Sequence, residues 1–208
     1  MNLIQKHRNA LADAAVFVGC VAATALIANL TLWADLRLGI IRSEMSFTEN
    51  AQLLFVALTI FTFVRFMRER PEFRHACALV VGFFCAIFVR ECDGYLDAVV
   101  HGFWVVPALC ATAVALFFGL RDRRACLREG LALLASPMLV VVAGVVLLLV
   151  WSRLFGMSGF WRALMGESYM REVKVVAEEG AELLSYGVIL TGAILLRRRF
   201  RRRVPAEA

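Results

Sequence analysis

Histidine is scarce in this chain. His7, His75 and His101 are the only three among 208 residues. That excludes a multi-histidine metal centre, and the H-E-x-x-H zinc motif is absent. The six cysteines (Cys20, Cys77, Cys85, Cys92, Cys110, Cys126) form neither a C-x-x-C pair nor a zinc-like spacing. Most lie inside apolar runs, where a thiol reads as a small core residue. No P-loop or Rossmann fingerprint occurs, which excludes those nucleotide sites. Alternating strand patterns are missing, which excludes a β-barrel. Only 19% of residues are charged, and the basic ones flank apolar runs instead of forming a patch. Nucleic acid is therefore not an expected partner.

What the chain does have is apolar length. It is 61% hydrophobic with a mean hydropathy of +0.74, too apolar for a soluble domain and typical of a polytopic membrane protein. Its length suits one helical bundle and leaves no room for a second domain. Six apolar runs, Ala14–Trp33, Ala51–Val64, Ala76–Val89, Phe103–Leu120, Leu131–Trp151 and Leu183–Leu196, predict an all-α bundle of six transmembrane helices. The expected spans are residues 14–34, 47–67, 76–95, 102–120, 131–151 and 177–196, followed by a basic tail over 197–208.

Orientation follows from the cations. Lys6, Arg8, the arginines of 65–74 and 121–128 and the run "RRRFRRR" put 16 of the 23 Lys and Arg on one side. Counting acids, that side is about +10 and the other about −4. Both termini are therefore expected in the cytoplasm, in the inner membrane of a bacterium. Trp33, Trp104, Trp151 and Trp161 all fall near the opposite ends, as an interfacial belt requires. The start "KHR" plus an apolar run resembles a signal peptide, and "FVGC" resembles a lipoprotein cleavage site. Asp13 interrupts that pattern and the run is long enough to span, so an uncleaved first helix is expected. The tail reads as a topology anchor that also contacts anionic lipid head groups.

Three of the runs, Ala51–Val64, Ala76–Val89 and Leu183–Leu196, have 14 residues where a span needs about 20. Arginines fence each on the cytoplasmic side, so the missing turns come from the outer side. That draws in Glu49 and Asn50 for the second helix, Arg90, Glu91 and Asp93 for the third, and Glu178, Glu179 and Glu182 for the sixth. A charge facing lipid costs roughly 2.5–3.5 kcal/mol, so these groups should turn into the bundle. Local thinning of the bilayer is the alternative. In "RECDGYLD" a continuous helix would place Arg90, Asp93 and Asp97 on one face, with His101 a turn further on. In "EEGAELLSYG", Glu179, Glu182 and Tyr186 share a face, while Glu178 and Glu182 repel at i, i+4. Arg90, Lys174, a bound cation or a proton would relieve that repulsion. Ala177, Ala181 and Ser185 form a small-residue row suited to close helix contact.

The longest outer connection is Ser152–Val176. Its "GMSG" predicts a turn, "FWRALM" a short interfacial helix, and Ser168 a cap for the sixth helix. "GMSG" also matches the G-x-S-G motif of rhomboid proteases, but over four residues only, and no His follows His101 to serve as base. Membrane ceramidase-like hydrolases need several histidines with a Ser and an Asp, and membrane lipid phosphatases need two His-containing motifs that are absent here. An inverted internal repeat finds no support. The expected site is thus an outer acidic cluster: Glu49, Arg90, Glu91, Asp93, Asp97, His101, Glu178, Glu179, Glu182 and Tyr186. Its first reading is a structural network within the bundle or a membrane complex, with a membrane-protein partner or a second copy as company. A proton, cation or solute site of a small transporter is the alternative, and a metal-assisted enzyme acting on lipid or envelope material the third. No cofactor is expected beyond a divalent cation in the last two cases.

Overall fold

A helix surrounded by its neighbours and a helix packed on one side only differ in how many faces must be filled, and the chain contains both. The computed structural model describes residues 3–43, 45–97 and 100–202, without the side chains of Leu3, Lys6 and Asp97. Every regular element among them is helical. Helix α1 is Leu3–Leu38, α2 Phe47–Glu69, α3 Arg74–Glu91, α4 Asp93–Asp97, α5 Val105–Gly119, α6 Arg123–Leu134, α7 Met138–Val146, α8 Ser152–Gly156, α9 Ser158–Met165 and α10 Arg171–Arg201. A single π turn, Leu147–Trp151, joins α7 to α8.

The last helix is the axis. In its most apolar stretch α10 is 67% buried, against 6% for α1. Its core residues Leu183, Tyr186, Ile189 and Leu196 are almost fully enclosed, with Phe63 and Phe66 of α2 and Phe84 of α3 in the same cluster. The outward faces of α1, α5, α7 and the π turn carry Leu26, Leu30, Leu109, Phe117, Leu139 and Val150, all exposed. Apolar side chains on the outside suit a bilayer as solvent.

Five helical stretches are long and apolar enough to cross a membrane: His7–Leu38, Phe47–Glu69, Pro71–Glu91, Met138–Gly156 and Arg171–Arg201. The fourth expected span is the 15-residue α5, which reaches only about 22 Å. It passes the same test only together with α6, from which it is bent by 99°. Leu131, expected to open the fifth span, belongs instead to α6. That helix buries Ala125, Cys126, Glu129 and Leu133 and exposes Arg123, Arg124 and Arg128. Asp122 caps it through the Ala125 N–H, which holds the Asp122 carboxyl below the usual range. Pro137, lacking an N–H, sits at the break, so the fifth span starts at Met138 and is prolonged through Gly156.

The third span also departs from expectation. It ends at Glu91 instead of running to residue 95. The Cys92 N–H bonds back to Phe88 O and Val89 O, and Asp93 Oδ1 accepts the Gly94 N–H at 2.8 Å. That local bond competes with helix continuation. Ser168 does not cap the sixth span: it lies in a 3₁₀ turn, and the α10 N-cap is Met170 without a side-chain bond. The expected turn at "GMSG" shrinks to Met157, since Ser158 already opens α9. The short helix expected over "FWRALM" is α9, whose Trp161 donates Nε1–H to Phe155 O at 2.6 Å.

Glycines let the helices close on α10. A Cβ on Gly187 would lie 2.1 Å from Thr24 Cγ2 of α1, and one on Gly192 would lie 2.7 Å from the Val141 backbone N of α7. Two helix starts are capped from other helices. Asp35 of α1, fully buried, accepts from Phe47 N (2.8 Å), Thr48 N (3.0 Å) and Thr48 Oγ1 (2.6 Å). Glu129 of α6 accepts from His75 N and Ala76 N, each at 2.9 Å, and contacts His75 Nδ1 at 2.8 Å. One end of the bundle thus gathers Arg70, Arg124 and Arg197, and the other Glu49, Glu91 and Glu178; they are called the basic and acidic ends below.

Gly187→Ala should destabilise the protein in detergent by about 1–3 kcal/mol through overpacking against Thr24. Gly159→Ala, where a Cβ meets nothing within 4 Å, should be neutral or slightly stabilising. Equal melting shifts for the two variants would mean that α1 is not held against α10 as described.

Candidate functional site

Carboxylates on a buried helix need donors from its neighbours, and the acidic end is built around that need. The third and fourth turns of α10 carry Glu178, Glu179 and Glu182. Together with Glu49 and Gln52 of α2, Arg90 and Glu91 of α3 and Asp93 and Gly94 of α4, they line a cavity of about 230 Å³.

Each deep carboxylate is tied to another side chain. Glu91 Oε1 accepts from Tyr186 Oη at 2.9 Å and lies 3.6 Å from Arg90 Nη1. Glu179 receives both its own bonds from Gln52, whose Nε2 reaches Glu179 Oε2 at 2.9 Å and Glu179 O at 3.2 Å. Glu178 pairs with Lys174 Nζ at 2.8 Å, both side chains largely covered. It can sit there because Gly156 has no Cβ: one would lie 2.3 Å from Glu178 Oε1. Glu182 is 6% exposed, and Ser152 Oγ lies 3.3 Å from its Oε1. The single Ser152 hydroxyl hydrogen is also offered to Leu148 O at 2.5 Å, so Glu182 gets the weaker share.

Seven of the ten expected residues therefore line one cavity: Glu49, Arg90, Glu91, Asp93, Glu178, Glu179 and Glu182. Tyr186 lies one layer below as the Glu91 donor. Lys174 relieves Glu178, as the repulsion between Glu178 and Glu182 demands. Arg90 pairs with its neighbour Glu91, and the expected common face with Asp93 and Asp97 does not exist because the helix breaks at Cys92. Asp97 closes α4 by its backbone, and its side chain lies outside the described atoms. His101 is exposed in the following turn and does not line the cavity.

Gln52 and Ser152 are the members that sequence reasoning missed. Both are at most 1% exposed. A signal existed for Gln52: it stands one turn inside Glu49's end of an otherwise apolar run, where an unpartnered amide would be costly.

Chemically, the cavity is an anionic hollow with a closed floor. From it toward the basic end, the inward positions of α10 and α2 are Leu183, Tyr186, Ile189, Val56 and Phe63, with Thr59 and Thr191 bonded to their own helices. Among the described residues no three His, Cys, Asp or Glu side chains converge in a way that would hold a metal ion. Ser152, the buried hydroxyl at the rim, has a carboxylate beside it and no histidine.

The Tyr186–Glu91 bond is a contact between groups far apart in sequence, and it should register as coupling. Tyr186→Phe and Glu91→Gln, alone and together, should give a double-mutant interaction of about 0.5–3 kcal/mol in detergent melting. Strict additivity would separate the two groups. Comparison with family models, with curated proteins and with solved structures finds no match to this chain, so the site is read from its own geometry.

Proposed function

We propose that the chain is a six-span protein of a bacterial cytoplasmic membrane, with both termini in the cytoplasm, and that its acidic end is a structural and assembly network. The observation that carries this reading is the pairing pattern. Glu91, Glu178, Glu179 and Glu182 each meet a donor side chain, and three of those donors come across a helix interface or lie on the partner helix of one. The network thereby fixes how α2, α3 and α8 meet α10, while the closed apolar floor argues against a conduit across the bundle. Its surplus of acid over base then faces the outside, where a cationic group of a membrane partner or of a second copy would find a complementary hollow.

The second reading is a cation or solute site. It is favoured by one specific feature, the hollow itself, which is lined by six carboxylates and one guanidinium.

The orientation is tested by labelling. In a variant freed of its native cysteines, Ser158→Cys should react with an impermeant maleimide in intact cells, and Arg124→Cys only after permeabilisation. Both positions are exposed. The opposite pattern would invert the topology.

The choice between the two readings rests on Glu182. No ion pair to it forms within 4.0 Å among the described residues, and Glu178 stands one turn away, so removing its charge removes repulsion. Glu182→Gln should therefore lie within about 0.5 kcal/mol of wild type, and neither protein should respond to Mg²⁺, Ca²⁺ or chelator. A site filled at 100 times its Kd would instead stabilise by about 2.7 kcal/mol. A metal-dependent melting shift in wild type that vanishes in Glu182→Gln would overturn the structural reading in favour of the cation site.

A further inference from the structure

A second and larger hollow lies on the other half of the molecule. It has a volume of about 860 Å³ and is walled by α3 and α5, with Met67 of α2 closing one side. This is within the range of about 300–1,000 Å³ typical of small-molecule pockets.

Its shape follows from small residues. At Gly82 the two helices nearly touch, since a Cβ there would lie 2.0 Å from Ala115 Cβ. Ala78 and Ala111 leave space beside that crossing. Along α3 the wall runs from Cys85 in mid-helix to Arg74 at its first residue, about 16 Å at 1.5 Å per residue. One leaflet of a bilayer has about 15 Å of hydrocarbon, half of a core of about 30 Å.

The polarity of the hollow is graded. The mid-membrane part is apolar. The basic end is bounded by Arg74 and Arg121, both exposed, and by His75. His75 is engaged through Nδ1 with Glu129. Neither guanidinium forms an ion pair among the described residues, whereas Arg70, Arg197 and Arg202 at the same end are all paired with carboxylates. The nearby Asp122 is occupied by the Ala125 N–H.

We infer that this groove holds an anionic phospholipid of the leaflet at the basic end, one acyl chain lying between α3 and α5 and its phosphate between Arg74 and Arg121. The match of groove length to leaflet depth, and of two unpaired guanidinium groups to a phosphate at its mouth, selects this occupant over a peptide or a second copy. An arginine pair can grip phosphate oxygens with several charge-assisted bonds. This site is distinct from the 197–208 tail, whose contact with lipid would be diffuse. It requires insertion in a bilayer but not a particular orientation, so it can fail while the topology holds.

The test uses the full chain in detergent with phosphatidylglycerol or phosphatidylcholine of identical chains added. Bound lipid is counted by native mass spectrometry and thermal melting is followed in parallel. Phosphatidylglycerol should be retained at least five-fold more than phosphatidylcholine and should raise the melting temperature. Arg74→Gln with Arg121→Gln should remove that preference, while Arg123→Gln with Arg124→Gln, equal in charge but outside the groove, should keep it. Ala78→Phe, filling the apolar part, should lower retention of both lipids; if it fails to fold, the arginine pairs decide alone. Inorganic phosphate should not reproduce the stabilisation. Equal retention of the two lipids, equal loss from the two arginine pairs, or full stabilisation by phosphate would each overturn the proposal.

Discussion

An apolar surrounding offers no hydrogen bonds, and the architecture depends on that constraint. A helix carrying three glutamates in its first four turns cannot turn them to such a surrounding unpaired, because each would cost several kcal/mol. It has to be central. Once α10 is central, its neighbours are chosen by what they bring: Gln52 from α2, Glu91 from α3 as the acceptor for Tyr186, and Ser152 from α8. The same rule explains Asp35 and Glu129, which spend their charge on backbone N–H groups that open α2 and α3. Burying these carboxylates is tolerable because two or three donors converge on each.

The two ends of α10 are held differently. At the acidic end neutral donors do most of the bonding. At the basic end ion pairs do it: Arg197 grips Glu69 of α2 with two nitrogens, and Arg202 Nη1 reaches Asp13 of α1 at 3.0 Å. Arg70 Nη1 donates to Phe200 O at 3.2 Å and its guanidinium lies over the Phe200 ring. Ion pairs at the surface are screened by salt, and these half-buried ones are screened in part. Stability against salt should therefore be set by the acidic half and the aromatic cluster of Phe66, Phe73 and Phe200.

Much of this was legible in the residues because length is a hard constraint. Three runs of 14 residues cannot cross a core that needs about 20, and the residues recruited to complete them, Glu49, Glu91 and Glu182 among them, do meet in space. What escaped was local. Whether a helix passes through Cys92 depends on a competition between Asp93's own turn and the next helical bond, and apolar periodicity is blind to it. Leu131–Leu134 look like the start of a span because the run is apolar, yet Pro137 divides it and the burial of Glu129 turns α6 inward. Asp35 and Glu129 entered the topology count as plain charges. Nothing near them in sequence names the helix start that they cap, since those starts lie 12 and 53 residues away at the nearest bonds.

The π turn at Leu147–Trp151 governs the wall of the acidic hollow. A π turn adds one residue to the helical count, and each residue of an α-helix advances by about 100°. In an unbroken α-helix Ser152 would stand about 80° and Gly156 about 120° away from the direction of Gly144, which packs on α10. With one residue absorbed, both come within about 20° of it. The helix from Met138 to Gly156 can therefore press glycine against α10 in the middle of the bundle and still deliver Ser152 to Glu182 and Gly156 to Glu178 at the acidic end. Phase along this helix, counted in single residues, decides whether the glutamates of α10 meet a hydroxyl and an open notch or an apolar side chain.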